Sequence, residues 1–268
     1  MIRVWWVVFA LVAAPVVTRA IELVSVEDEI AIGREAQAQM RKELAAFTDE
    51  GVTSYLRDVA RRLVQVAPGP KYPYSFSIAD YRDINAFALP GGPVWVHRGV
   101  LHSATNESQV AGVLAHEIAH IGQRHAAGQL TKITLTNFGL GVIGALLGNS
   151  GGAGTAQIAA RLLANGAFLK FSRNDELEAD RVGLQMLTRA GWDARGMVEL
   201  FEIIRKEADR DPMKVEVLLS SHPSPRDRIA ALQADVARRR GGRRDTSQFQ
   251  SVKARLLKMS APKAMPRR

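Results

Sequence analysis

The sequence predicts a mainly helical α+β fold with one small β-sheet, and three observations carry that reading. Several long stretches place apolar residues at helical spacing. Between residues 72 and 97, short aromatic-rich, alternating runs are broken by Pro90, Gly91 and Gly92, which is a strand-and-turn pattern. With 268 residues, 47% of them hydrophobic, the chain can bury a sizeable core as one large or two small domains. It has no cysteine, which removes disulfide scaffolds, thiolate metal sites, a cysteine nucleophile and a lipidated cysteine. Any metal must be held by histidine and carboxylate.

Taken in order, residues 1–20 have the layout of a secretory signal peptide. Arg3 precedes an apolar run from Val4 to Val17, followed by the small residues Thr18 and Ala20 at cleavage-site spacing. The run is shorter than the roughly 20 residues a membrane span needs, although an uncleaved anchor is the alternative. Export to the periplasm, with membrane association as an option, is the expectation. Val26 to Leu44 and Val52 to Val66 read as amphipathic scaffold helices. Tyr72 to Ile78, Ala86 to Leu89 and Val94 to His97 read as short strands just ahead of the most informative stretch. An edge strand there can hold a peptide as an added strand, with Asn85 and Ala86 as the substrate-binding candidates. A plain core hairpin fits the same pattern.

Val110 to His125, VAGVLAHEIAHIGQRH, is that stretch. As a helix it sets His116 and His120 about 40° apart around the axis, so both imidazoles leave one face and can meet one metal ion. This is an HExxH pattern, with Glu117 placed to reach a water on the metal without binding the metal. Val110, Val113, Leu114, Ile118 and Ile121 would bury the helix. Two imidazoles and a carboxylate in such a stretch are costly unless paired or metal-bound. On a continuing helix His125 falls about 180° from His116, so it reads as a surface residue and the third ligand lies elsewhere.

Ile133 to Leu147 is apolar, and Gly148 to Gly154 follows it. An interior helix with a mobile, lid-like loop is the default, with membrane contact as the alternative. Phe171 to Gly191 reads as a helix capped by Ser172 or Asn174 and closed by Gly191. Glu176 and Asp180 share a face on it. A carboxylate joining two histidines makes the His2Glu set of a catalytic zinc site, and Asp180 can accept the free ring N–H of a ligating histidine. The competing reading is an acidic, solvated first turn made by Asp175, Glu176, Glu178 and Asp180. Trp192 to Ala208 and Pro225 to Ala237 read as further helices. His222 lies between them, in a loop stiffened by Pro223 and Pro225. Arg238 to Arg268 holds eleven Lys and Arg against one acid, so the net +9 of the chain belongs to this segment. It reads as a disordered basic tail that could lie on an anionic membrane surface; nucleic-acid binding would rest on the tail alone.

HEIAH, ELEAD, the upstream INAFALPGG and the later SSHPSPRDRI together resemble the M48 zinc metallopeptidases, the group with the Ste24, Oma1 and periplasmic BepA types. The resemblance runs from about Val26 to Leu232, and residues 21–237 would form the zincin-type (gluzincin) domain. It implies one Zn2+ held by His116, His120 and Glu176, Glu117 as catalytic base, Asp180 supporting a ligand histidine, and His222 approaching the zinc. His222 would either donate to the oxyanion or cap the zinc in a resting state. The chain departs from the BepA type in having no helical repeats after this domain, and from Ste24 in lacking multiple long apolar spans. The function it implies is endopeptidase cleavage of exported or membrane-associated, unfolded or misfolded proteins. A zinc-binding periplasmic chaperone without proteolysis is the alternative, though an intact Glu117 argues for the enzyme.

Overall fold

The computed structural model describes residues 24–138, 170–222, 225–239 and 241–266. The expected leader at residues 1–20, residues 139–147 of the apolar run and the glycine-rich stretch 148–154 lie outside the described residues. Helix α1 spans Val26–Glu43, started by a capping box between Ser25 and Asp28, and α2 spans Glu50–Val64, capped by Asp49. Strands β1 (Ser75–Ala79), β2 (Ala86–Ala88) and β3 (Pro93–His97) form one sheet in the order β1-β3-β2. β3 is central and wholly buried; it pairs parallel with β1 and antiparallel with β2. That leaves β2 at an edge. The β2–β3 turn needs Gly91 (φ 71), where a Cβ would lie 2.4 Å from the Glu29 carbonyl oxygen of α1.

A short helix α3 (Arg98–Ser103) leads into α4, Glu107–Gly122, every residue of which is buried. The side chain of Asn106 accepts from the Gln109 amide and starts α4. Helices α5 (His125–Phe138), α6 (Arg173–Arg189), α7 (Arg195–Arg210), α8 (Glu216–Ser221) and α9 (Pro225–Ala237) follow. α6, α7, α2 and β2 all pack on α4, so the motif helix is the axis of the main core. Gly112 makes the α7 crossing close: a Cβ there would sit 2.9 Å from the Cα of Met197. Among the described residues, no helix is long and apolar enough to cross a membrane.

Two expectations are corrected. The motif helix does not run on to His125. It stops at Gly122, and Arg124 takes a left-handed conformation (φ 59), unusual for a residue with a Cβ. The Arg124 side chain is anchored, its Nε donating to Glu29 Oε2 at 2.8 Å and its guanidinium also to the Val24 carbonyl at 2.5 Å. The chain therefore turns back, and His125 opens α5 buried against the end of α4 instead of facing solvent.

The basic segment after residue 237, expected to lack order, instead forms α10 (Ser247–Leu257). Phe249, Val252 and Leu256 are buried, with Phe249 packed near Tyr55 of α2. Their i, i+3, i+7 spacing is an apolar stripe. Much of the positive charge finds partners: Lys253 donates to the carbonyls at the end of α3, among them Ala104 at 2.7 Å, and Arg244 pairs with Glu199 at 2.7 Å. Buried Arg98 clamps the segment from the other side, donating to the Ser260 carbonyl at 2.8 Å while pairing with Asp80. A segment held by apolar burial and charge-to-carbonyl hydrogen bonds has no reason to be loose.

Candidate metal centre

His116, Glu117 and His120 come from the buried middle of α4, and they are 4%, 2% and 1% exposed. The two histidines present their Nε2 atoms to each other at 3.0 Å. α6 starts at Ser172, whose hydroxyl accepts from the Asp175 amide while Asp175 answers with its carboxylate, and this capping box sets the first turn that carries Glu176. Glu176 lies between the histidines, Oε2 3.6 Å from His116 Nε2 and Oε1 3.4 Å from His120 Nε2. His222, the C-cap of α8, joins them with Nδ1 2.8 Å from Glu176 Oε1 and 3.4 Å from His116 Nε2. One donor atom from each of His116, His120, Glu176 and His222 lies within 4.8 Å of the other three.

The surrounding charges hold this geometry. His116 turns its Nδ1 to Asp180 Oδ1 at 2.9 Å. Arg228 of α9, 5% exposed, pairs with Glu176 Oε2 at 2.7 Å and with both oxygens of Asp180, and its guanidinium lies 4.3 Å from the centre of the Phe201 ring. Burial alone would raise the Asp180 pKa; hydrogen bonding to Arg228 and its charge hold it below the ordinary value. Burial likewise opposes ionisation of Glu176, but the charge of His222 and hydrogen bonds from His120 and His222 keep it a carboxylate far below its usual range. His120 is driven the other way, burial pushing it well below the usual histidine value, so it is a neutral imidazole. For His222, burial is outweighed by the charge of Glu176, which holds its pKa up.

This arrangement fits a divalent cation. Glu117, Glu176 and Asp180 place three buried carboxylates around one buried guanidinium, a deficit that His222 can only partly offset and that a doubly charged ion would neutralise. Glu117 Oε2 is buried without a hydrogen-bond partner, and its Oε1 lies 3.8 Å from His222 Nε2. Two imidazoles, one of them neutral, with an ionised glutamate are the donor set of a catalytic zinc site, and a cleft reaches His116 and Glu117 beside it.

The expected ligands His116, His120 and Glu176 come together, with Glu117, Asp180 and His222 beside them. Of the two strand positions, Ala86 lines the same cleft as His116 and Glu117. Asn85 is 2% exposed; its carbonyl accepts from the His97 amide at 2.8 Å and its side-chain amide has no partner. Two residues escaped the sequence reading. Arg228 sits inside SSHPSPRDRI, and its signal there is only an arginine in the first turn of a helix next to the loop that carries His222. His125 is the other, because it turns inward only where α4 stops at Gly122.

A histidine pair on one helix completed by a glutamate from a second helix defines a zincin-type metallopeptidase site of the gluzincin kind. The chain belongs to peptidase family M48, whose family profile matches residues 50–236. Over 220 residues it is 34% identical to the beta-barrel assembly-enhancing protease of Escherichia coli (strain K12), an alignment covering 80% of this chain and 45% of that protein. It is 33% identical over 182 residues to the mitochondrial metalloendopeptidase OMA1 of Schizosaccharomyces pombe, covering 68% of this chain and 52% of that one. To the mitochondrial metalloendopeptidase OMA1 of Bos taurus it is 35% identical over 162 residues, 58% of this chain and 31% of the relative. The chain thus spans about half the length, or less, of these relatives.

Proposed function

We propose that this protein is a zinc-dependent endopeptidase that hydrolyses peptide bonds in exported or membrane-associated, misfolded proteins. The observation that carries the reading is the convergence of Glu176 on the paired imidazoles with one oxygen of Glu117 left without a partner beside them. His116, His120 and Glu176 would hold the ion. Zinc in such a set lowers the pKa of a bound water to about 7 and polarises a carbonyl. Glu117 has the chemistry of the general base: its free oxygen takes the proton of the attacking water and later delivers it to the leaving amine. Asp180 fixes the His116 ring through Nδ1, and Arg228 keeps Glu176 and Asp180 in register.

His222 lies among the ligands, and its 2.8 Å contact with Glu176 supports the capping role over the oxyanion role. In that role it leaves when substrate enters. The cleft beside Glu117 is walled by Val113, Phe201, Ile204 and Leu218, which suits an apolar side chain of the kind that unfolding exposes. β2 at the sheet edge, through Ala86, would pair with an extended substrate backbone regardless of its sequence, and the unpartnered Asn85 side-chain amide just ahead of it would add a side-chain contact. A periplasmic setting draws on the layout of residues 1–20 and on a relative named for beta-barrel assembly. Contact with an anionic membrane surface would fall to exposed lysines of the basic C-terminal segment such as Lys258 and Lys263, because Arg243 and Arg244 are already paired within the fold. Glu117→Gln is expected to retain zinc and thermal stability while losing casein cleavage by on the order of a hundredfold or more. Undiminished cleavage in that variant would overturn the assignment of Glu117.

A further inference from the structure

We infer that His125 is a positioning residue for the metal centre: it accepts the ring N–H of His120 and passes the contact on to Glu178, setting the tautomer in which His120 binds zinc. The inference rests on reading His120 as a ligand, as above.

Three observations lead to it. His125 Nδ1 lies 2.9 Å from His120 Nδ1, with both rings buried. His120 turns its other nitrogen, Nε2, toward His116 and Glu176. His125 Nε2 in turn lies 3.5 Å from Glu178 Oε2, on the same helix that supplies Glu176 and Asp180.

Counting protons then leaves one arrangement. A histidine that gives its Nε2 lone pair to a metal must carry its proton on Nδ1. The His120 Nδ1–H then needs an acceptor, and the atom facing it is His125 Nδ1. His125 must therefore be unprotonated at Nδ1 and protonated at Nε2, which is the atom that faces the Glu178 carboxylate. The two ligand histidines are thus supported differently: His116 by the Asp180 carboxylate directly, His120 by an imidazole that leads to a carboxylate at the surface. α6 supplies both carboxylates along with the ligand Glu176. The left-handed Arg124, anchored to Glu29, makes this possible by turning the chain so that His125 meets the back of His120.

Outer-shell partners of this kind typically contribute 10–100-fold in metal affinity. The test is zinc affinity of the full chain, stripped with chelator and titrated in competition with a chromogenic chelator, for wild type, His125→Leu and His125→Asn. Leucine fills space without an acceptor, whereas the asparagine amide oxygen occupies about the place of Nδ1. The leucine variant is expected to bind zinc 10–100-fold more weakly and the asparagine variant within about threefold of wild type. Equal affinity in the leucine variant, or equal loss in both, would overturn the role. Long-range proton–nitrogen NMR of the zinc-loaded wild-type chain needs no variant: His125 protonated at Nε2 supports the inference and His125 protonated at Nδ1 contradicts it. A wild-type chain that binds no zinc would instead sink the metal-site reading itself.

Discussion

The α4–α6 pair and the C-terminal strap around α10 are both rich in charge, yet they handle it in opposite ways. In the α4–α6 pair the charges point inward, three carboxylates against one guanidinium, and the site is left short of positive charge. In the strap an apolar stripe points inward while lysine and arginine find carbonyls and carboxylates near the surface. The first region has buried carboxylates that a cation would complete, and the second is satisfied without one. Functional centres tolerate a local imbalance that the rest of the fold has to hold in place.

That contrast makes quantitative expectations. Arg228→Met should have the largest effect on the metal-free protein, because it leaves Glu176 and Asp180 buried without their cation. Breaking a buried pair this way costs about 3–5 kcal/mol, and zinc should restore part of it, a difference read by denaturant unfolding with and without the ion. Phe249→Ala in the strap should cost about 3–4 kcal/mol through lost burial and a cavity, but the loss should be the same with and without zinc. If zinc rescued both variants equally, the two regions would not differ as described.

His97 gives a third comparison, since it is buried in the sheet, away from the cluster. Burial pushes its pKa down to about 4, against a smaller opposing pull from the Asp83 backbone. The unfolded chain takes up this proton near pH 6.5 and the folded chain only near pH 4, so the unfolded state binds more protons between those values. His97 should therefore make stability fall as pH drops through that window and level off below it, by on the order of 3 kcal/mol. Replacing His97 with Phe should flatten that part of the pH–stability curve. Asn106→Ala, which removes the N-cap of α4, is the smallest expected change at about 1 kcal/mol in thermal or denaturant unfolding.

Part of the site is legible in spacing. HEIAH sets two histidines and a glutamate on one helix where a metal and a base would need them, whereas the four-residue interval from Glu176 to Asp180 fits an acidic first turn equally well, and only the resemblance to the M48 peptidases implies a ligand there and a carboxylate supporting a histidine. The capping of α6 by Ser172 and its closure at Gly191 were also legible, because these are local chemistry. What escaped depends on contacts between distant residues. The end of α4 is set by an arginine in a glycine-like conformation, held there by Glu29 nearly a hundred positions earlier. Without that contact nothing in GQRHA marks a stop, and His125 appears to face solvent. Arg228 belongs to the site only because α9 folds back onto α6. In the strap, the stripe Phe249, Val252 and Leu256 was present but masked by the density of positive charge around it.

In the proposed site, His116, His120 and Glu176 share one zinc ion next to Glu117. Anomalous diffraction at the zinc edge from crystals of the zinc-loaded protein tests this most directly. A single strong peak is expected between the two Nε2 atoms and the Glu176 carboxylate. No peak there, or a peak whose nearest ligands exclude Glu176, would contradict it.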